Sequence, residues 1–314
     1  MSAIILSKYH ALGNDYLVLD PNKNSPPLCT GADMAEDTAK PRSLGSSLCT
    51  GMPDGDRPCP LLQPEVIRRL CHWHFGAGAD GLLYGPIPKK GAISLRMFNP
   101  DGSEAEESGN GVRIFAKYLL EEGYVTAQSF SLHTLGGLIE IEFLSQEDGR
   151  MRIHMGKPVY AGNKIPLSGL EGEVVNAHLR FHDNDYNTTC LSIGNPNCVI
   201  MMEEITPQKA KSLGPYVEGA AYFPNRINMQ LCKVIDRQNL AIEIYERGAG
   251  YTLASGTGAC AAAAAAHRMG LVDGEVTVHM PGGSLLIEIS EDGAIHMTGA
   301  VKKVGTFLLA EDFL

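Results

Sequence analysis

The chain has 314 residues, of which 44% are hydrophobic, so its length and composition predict about two globular domains with a core in each. The formal net charge of −10 and the lack of a basic stripe argue against a nucleic-acid partner. No apolar run is long enough to span a membrane and the N-terminus lacks a signal-peptide layout, so we expect a cytoplasmic protein with no membrane partner.

The first half of the chain begins with a predicted hairpin. Residues 4–20 read as two strands around a turn of Gly, Asn and Asp, the residues that tight turns favour. Residues 21–60 are rich in Pro, Gly, Ser and Thr and show no apolar period, which predicts a long surface insertion. A helix over residues 63–74 and a glycine turn come next. The other segments of this half are predicted strands: residues 82–84, residues 93–98 and a hairpin over residues 130–143.

The eight cysteines do not follow the spacing of a disulfide framework. The run Cys71-His72-Trp-His74 has the residue types of a metal site, but no second ligand pair lies nearby in the sequence. A reduced thiol with two histidines near a helix end is the favoured interpretation, and we predict no metal.

The second half starts near residue 151 and is also rich in strands. Its one predicted helix covers residues 257–269. The predicted strands are mostly short and antiparallel in character: residues 177–181, 189–193, 198–202, 229–235, 240–246, 275–279, 285–290 and 294–298.

One sequence pattern occurs in both halves. Ser108-Gly-Asn-Gly and Ser255-Gly-Thr-Gly each open a predicted helix, and they lie 147 residues apart (255 − 108). The helix-ending Gly123-Tyr-Val and Gly270-Leu-Val have the same separation (270 − 123). A similarity with a domain-sized period indicates a duplication. A serine at such a position can cap the helix, and the helix N-terminus can bind a carboxylate or phosphate.

We therefore predict an α+β fold of two pseudo-symmetric domains, each a curled, mostly antiparallel sheet around a central helix. The N-terminal domain is expected to cover residues 1–152 and the C-terminal domain residues 153–302. A tail over residues 303–314 is expected to return to the N-terminal domain. The two helix N-termini would then bracket a small anionic ligand in the cleft between the domains.

Several specific motifs follow one another along nearly the whole chain. They are His10-Ala-Leu-Gly-Asn-Asp, Gly76-Ala-Gly-Ala-Asp-Gly, Asn99-Pro-Asp-Gly-Ser-Glu, Ser108-Gly-Asn-Gly-Val-Arg, Met155-Gly-Lys-Pro, Gly194-Asn-Pro, Glu246-Arg-Gly and Ser255-Gly-Thr-Gly-Ala. Together they resemble the diaminopimelate epimerase family. The resemblance implies an isomerase of lysine biosynthesis that converts LL- to meso-diaminopimelate in a closing cleft, with no cofactor, neither pyridoxal phosphate nor metal. It does not decide whether the protein forms a homodimer.

The resemblance also implies the site residues. In the family, one residue on each domain takes or returns the proton of the substrate α-carbon, and both are cysteines. This chain has the serines Ser108 and Ser255 at these catalytic positions, and Asn197 where the family usually has histidine. A hydroxyl acts as a base only with an activating partner. The substrate-binding positions carried over from the family are Asn14, Asn99, Gly109, Asn110, Asn195, Asn228, Glu246, Arg247, Gly256 and Thr257.

Each of these residues also has a structural interpretation. The asparagines could satisfy their own backbone in turns, and the two serines could be plain N-caps. Three functions stay open: the epimerase; a non-catalytic or divergent member that binds a small anionic amino acid or catalyses another proton-transfer isomerisation; and a serine hydrolase using Ser255. The hydrolase is disfavoured because Leu253 stands where a nucleophile elbow has glycine.

Overall fold

The computed structural model describes residues 4–24, 60–89, 92–105, 108–145 and 149–313. Most of the insertion predicted over residues 21–60 lies outside the described residues. Within the part that is described, no helix is both long and apolar enough to cross a membrane.

The first half of the described chain alternates strands with two α-helices, after a short 3-10 turn at Pro60–Leu62 that precedes the first helix. Its elements are β1 (Ile5–Ala11), β2 (Asn14–Leu19), α1 (Pro64–Cys71), β3 (Leu82–Lys89), β4 (Ala92–Phe98), β5 (Glu104–Ala105), α2 (Gly109–Glu121), β6 (Ser129–Thr134), β7 (Gly137–Ser145) and β8 (Arg150–Gly156).

The second half repeats this order, with one additional strand at its start and another at its end. Its elements are β9 (Ala177–Phe181), β10 (Asn184–Ile193), β11 (Asn195–Met201), α3 (Pro207–Glu218), β12 (Asn228–Asp236), β13 (Asn239–Glu246), β14 (Gly250–Thr252), α4 (Gly256–Arg268), β15 (Glu275–Met280), β16 (Gly283–Ile289), β17 (Ile295–Gly299) and β18 (Lys302–Leu308).

The strand pairing of the two halves is the same, step by step. In the first half β2 runs parallel to β3 and β4 runs parallel to β6, while the neighbouring pairs are antiparallel. In the second half β11 runs parallel to β12 and β13 runs parallel to β15, again among antiparallel pairs. The helices α2 and α4 begin and end 147 residues apart (256 − 109 and 268 − 121). The predicted pseudo-symmetric α+β fold class is confirmed.

The two halves join at a strand pair, and the last strand of the second half pairs with the first half. The equivalent strands β8 and β17 pair antiparallel, with His154 opposite His296 and their rings 5.1 Å apart. The C-terminal strand β18 pairs antiparallel with β1, as β9 pairs with β10 in the other half. The last strand of the chain therefore completes the sheet of the first half.

Each half has its own core around one helix. In α2 every residue from Gly109 to Leu119 is buried, and the helix packs against β1, β2 and β8. In α4 residues 258–266 are buried, and all except one glycine and one cysteine are alanine. Alanine is the best helix former and its small side chain lets the helix axis approach β10 and β16 closely.

The sequence predicted most of the strands and each described α-helix except one. The first hairpin and the two serine-initiated helices are confirmed, and each predicted strand coincides with an observed one, although β3 and β10 are each five residues longer at one end than predicted. The strands β5, β8, β14 and β18 were not predicted. The helix α3 was not predicted, because Pro207 and Pro215 interrupt its pattern. Pro207 stands in the first turn, where no N–H partner is needed, and Thr206 caps the helix by accepting from the Lys209 N–H at 3.1 Å.

Candidate active site

Ser108 and Ser255 cap the two central helices in the same way. Each has an extended backbone, with φ and ψ of −146° and 113° for Ser108 and −142° and 121° for Ser255. Ser108 Oγ accepts from the Gly111 N–H at 3.1 Å, and Ser255 Oγ accepts from the Gly258 N–H at 3.2 Å. The predicted N-capping is thus present, but it uses only one of the two lone pairs on each oxygen.

The N-termini of α2 and α4 converge on the side chain of Met297. A Cβ added at Gly109 would lie 3.1 Å from Met297 Cε, and one added at Gly256 would lie 3.1 Å from Met297 Sδ. The Cβ at Gly256 would also lie 3.8 Å from Asn110 Oδ1, which belongs to the other half. Glycine therefore gives both helix ends the room to meet. Their N–H groups and positive dipole ends act on the same region, as an anion site requires.

Each serine has a second partner, and the two partners differ. The Tyr16 hydroxyl lies 3.1 Å from Ser108 Oγ. Ser255 Oγ donates to Glu246 Oε2 at 3.5 Å, while Glu246 Oε1 accepts from Thr252 Oγ1 at 2.6 Å. Burial raises the pKa of Tyr16 to about 12 and raises the pKa of Glu246 above its ordinary value, against the hydrogen bonds from Thr252 and Ser255 that lower it.

A polar chain runs from the first half into the core between the helices. Asn14 Nδ2 donates to Asp80 Oδ2 at 2.9 Å, and Asn14 Oδ1 accepts from Asn110 Nδ2 at 3.0 Å. Asn110 Oδ1 in turn accepts from the fully buried Arg113 guanidinium. Burial raises the pKa of Asp80, and the neighbouring Asp15 carboxylate adds to the rise. This chain fixes the orientation of Asn110, the second residue of α2.

Asn195 is held by a second polar chain in the other half. Asn195 Nδ2 donates to Thr257 Oγ1 at 3.2 Å, and Asn195 Oδ1 accepts from Asn197 Nδ2 at 2.9 Å. The buried Gln230 donates to Asn197 Oδ1 at 3.0 Å. Asn197 is fully buried, so it orients Asn195 and Thr257 from below the site.

Asn228 and Arg247 meet through the backbone. Asn228 Oδ1 accepts from the Arg247 N–H at 2.9 Å, which shapes the turn after β13. The Arg247 side chain is exposed and donates to the Asn225 carbonyl at 3.3 Å. A bidentate contact between Arg247 and a substrate carboxylate would require the guanidinium to leave that carbonyl.

Asn99 is a predicted substrate-binding residue, but its side chain forms its contact within its own turn. It is exposed, and its Nδ2 donates to Ser103 Oγ at 2.9 Å within its own turn. This is the local turn role that we considered for each asparagine. The histidines after Cys71 also form a turn, because His72 Nδ1 accepts from the His74 and Phe75 N–H groups. Within the described residues, no group of three or more side chains is arranged to hold a metal.

The sequence analysis did not single out Tyr16, Asp80, Thr252 or Arg113. Tyr16 lies two residues after Asn14 on β2, and side chains two apart share a face of a strand. That period could have identified it. Asp80 belongs to a motif that the resemblance used without assigning it a role. The contacts of Ser255 Oγ are Glu246 and Gly258, not a histidine, which does not fit the serine hydrolase alternative.

Comparisons with known proteins bear on this geometry. A family model described as "Diaminopimelate epimerase" matches residues 52–161 and 189–304, more than half of the chain. "Diaminopimelate epimerase 2" of Nostoc sp. strain PCC 7120 is 42% identical over 298 residues, which cover 95% of this chain and 92% of that protein. "Diaminopimelate epimerase" of Desulfitobacterium hafniense is 35% identical over 309 residues, 98% of each chain.

Solved structures share the fold at low identity. A probable proline racemase from Agrobacterium radiobacter K84 matches with a TM-score of 0.64 and 15% identity, covering 98% of this chain and 93% of that one. A hydroxyproline epimerase from Agrobacterium vitis, with bound trans-4-OH-L-proline, matches with a TM-score of 0.64 and 14% identity, covering 99% and 93%.

Proposed function

The chain belongs to the diaminopimelate epimerase family and is an isomerase, and from this premise we propose that it interconverts LL- and meso-diaminopimelate by inverting one α-carbon. Two side chains on opposite faces of that carbon move the proton. The relatives supply the substrate name, and the geometry of the two helix ends supplies the support for the chemistry.

One observation carries the proposal. Two serine-capped helix N-termini, one from each half, converge on Met297 and hold hydroxyl groups at equivalent positions. Inversion at carbon requires one group that removes a proton and another that delivers one to the opposite face. A pair of equivalent groups related by a pseudo-twofold axis supplies both. We assign these roles to Ser108 and Ser255.

The helix ends also fit the charge of the substrate. Removing the α-proton sends an electron pair into the α-carboxylate, and preorganised N–H donors stabilise such developing charge. The N–H groups of Gly109, Asn110, Gly256 and Thr257 lie in the first turns of α2 and α4, where backbone donors have no partner within the helix. Binding the α-carboxylate between the two helix ends would place the α-carbon between the two serines.

The test is proton NMR in deuterium oxide with LL- and with meso-diaminopimelate. We expect the α-proton signal to disappear and the other stereoisomer to appear. Ser108→Ala and Ser255→Ala should each abolish the appearance of the other stereoisomer, because inversion needs both groups. Ser212→Ala is the matched control, since Ser212 is exposed on α3 and its Oγ donates to the Lys209 carbonyl at 3.1 Å.

Two results would contradict the proposal. Binding of diaminopimelate without any α-proton exchange would support a non-catalytic member of the family. Exchange confined to another amino acid would keep the chemistry and reject the substrate.

A further inference from the structure

The hydrogen bonds of Ser108 can leave its proton available to the substrate. Its oxygen accepts from the Gly111 N–H at 3.1 Å, and the Tyr16 hydroxyl stands 3.1 Å away, where either hydroxyl can be the donor. Burial raises the pKa of Tyr16 to about 12, so the phenol keeps its proton at neutral pH. When Tyr16 is the donor, both lone pairs of Ser108 Oγ are occupied and the Ser108 hydroxyl proton is free to point at the substrate.

The hydrogen bonds of Ser255 have the opposite sense. Its oxygen accepts from the Gly258 N–H at 3.2 Å, but its proton is directed at Glu246 Oε2, 3.5 Å away. One lone pair therefore remains to accept a proton. The 3.5 Å separation is long for a hydrogen bond, as is common for catalytic pairs before substrate binds. Glu246 itself is fixed by Thr252 Oγ1, at 2.6 Å from its other oxygen.

We propose that Glu246 activates Ser255 as the proton acceptor and that Tyr16 supplies Ser108 as the proton donor, so that two hydroxyl relays replace two free thiols. This inference rests on the proposed function, because it deepens the chemistry of the same site. It assigns to Tyr16 a role that the sequence did not indicate, and to Glu246 a role in proton transfer besides its expected contact with substrate.

The protons balance in both relays. On one face the Cα–H bond breaks, its proton passes to Ser255 Oγ, and the former hydroxyl proton of Ser255 passes to Glu246 Oε2. The electron pair of the broken bond moves into the α-carboxylate and returns to form the new Cα–H bond with the hydroxyl proton of Ser108. Tyr16 then gives its proton to Ser108 Oγ. The product state has neutral Glu246 and ionised Tyr16, which is the starting state for the reverse direction, and exchange with solvent resets it.

The surroundings of the two relays set their proton affinities. Burial raises the pKa of Glu246, and Asp80 raises it further, so the carboxylate is a stronger base than an exposed glutamate. The groups that face Tyr16 are Ser108, Glu246, Asp80 and Cys71. Burial and the three titratable neighbours raise the pKa of Tyr16 and keep the phenol protonated before the reaction, whereas the hydrogen bond with Ser108 lowers that pKa and stabilises the phenolate that the relay forms.

The decisive experiment compares Glu246→Gln in two backgrounds. A thiol ionises without help at a helix N-terminus, so Ser255→Cys should make the carboxylate dispensable for proton removal. In the native chain we expect Glu246→Gln to slow α-proton exchange with diaminopimelate about 10²–10⁴-fold, the usual worth of a general base. In the Ser255→Cys background the same change should cost about tenfold or less. An equal loss in both backgrounds would show that Glu246 only binds substrate, and would overturn the relay.

The same design applies to Tyr16 on the other face. Tyr16→Phe should slow exchange about 10²-fold or more in the native chain and much less in the Ser108→Cys background. A purely structural role for Tyr16 would give equal losses in both. Tyr124→Phe is the matched control, because its hydroxyl donates to Asp20 at 2.8 Å away from the site, and it should leave exchange unchanged.

The pH profile gives a second readout. An ionised Glu246 is required, so the native rate constant kcat/KM should fall as the pH drops through its raised pKa. Ser255→Cys should move this acid limb toward the pKa of a thiol. An acid limb that stays in place would reject the relay. If neither the native chain nor the cysteine variants exchange the α-proton, the proposed function itself fails. An active native chain that tolerates both Glu246→Gln and Tyr16→Phe rejects only the relay.

Discussion

Arg113 carries a fully buried guanidinium in the core between the two central helices, and we expect Arg113→Met to leave the fold stable while slowing the reaction. Its Nη2 donates to Asn110 Oδ1, and its Nε donates to the Gly109 carbonyl at 3.4 Å. Within the described residues its Nη1 has no hydrogen-bond partner. The side chain therefore orients the first turn of α2 at the cost of a buried charge.

The structure gives the size of both effects. Burial lowers the pKa of the Arg113 guanidinium to about 10, and at ~1.4 kcal/mol per pKa unit this opposes the charged form by roughly 3 kcal/mol. Methionine removes that penalty and loses two hydrogen bonds from a charged donor, worth about 1.5 kcal/mol each. The free energy of unfolding should thus change by no more than about 1 kcal/mol. Arg113→Ala also leaves a cavity, which should cost a further ~2–5 kcal/mol.

Urea unfolding of the two variants measures these differences, and α-proton exchange measures the effect on Asn110. We expect exchange to slow about tenfold or more in both variants, because Asn110 loses the donor that holds it at the helix end. The reasoning would be refuted if Arg113→Met destabilised the fold as much as Arg113→Ala. In that case the hydrogen bonds of the guanidinium would outweigh its burial. Unchanged exchange in the methionine variant would show that Asn110 needs no such support.

Three further predictions concern the site and its frame. Ser108→Cys combined with Ser255→Cys should raise the rate of α-proton exchange by several orders of magnitude. Each single change should have a much smaller effect, since inversion needs both groups. Exchange rates from NMR test this. Arg247→Ala should weaken diaminopimelate binding by about 1.5 kcal/mol in calorimetry, the loss expected for one charged hydrogen bond, and unchanged affinity would reject the carboxylate contact. Gly282→Ala should destabilise the fold, because its Cβ would lie 1.9 Å from the Leu12 carbonyl of the other half. Gly305→Ala, which meets nothing within 4 Å, is its control in thermal unfolding.

The duplication could be recognised in the sequence because its helix motifs keep one spacing. The helices that begin after Ser108 and Ser255 stand 147 residues apart in sequence, and both have 13 residues, most of them buried. Even the parallel register repeats, since Leu17 pairs with Leu82 as Cys198 pairs with Met229. Local patterns sufficed here because helix caps and strand periods depend on neighbouring residues.

Two features could not be read from local pattern. The pairing of β18 with β1 joins the two ends of the chain, and no spacing rule predicts which strands meet at such a distance. Arg113 would pass for an exposed charge, because arginine is rarely buried fully. Its equivalent in the repeat is Cys260, at the same separation of 147 residues (260 − 113), and that residue is buried too. The buried Cys260 thus indicates a buried position at residue 113, although arginine at that position suggests an exposed one.

Differences between the two repeats explain why Ser108 and Ser255 have different partners. The hairpins β1–β2 and β10–β11 are equivalent, with Asn14 matching Asn195 at a separation of 181 residues (195 − 14), so Tyr16 matches Asn197. Tyr16 reaches Ser108 at 3.1 Å, whereas Asn197 bonds to Asn195 and Gln230 below the site. The aromatic ring carries its hydroxyl further from the strand than an amide can reach.

At the other pair of equivalent positions, it is the residue of the second half that reaches its serine. Glu246 at the end of β13 matches Asn99 after β4, at the separation of the helices (246 − 99). Glu246 bonds to Ser255, while Asn99 turns to Ser103 within its own loop. In the proposed relay each half therefore activates its serine from a different element, a neutral phenol on one face and a carboxylate on the other. A strictly symmetric pair of serines would have two identical proton affinities, so neither would be prepared to accept a proton while the other donates one. Divergence at these two positions of the repeat would supply one donor and one acceptor on a shared scaffold.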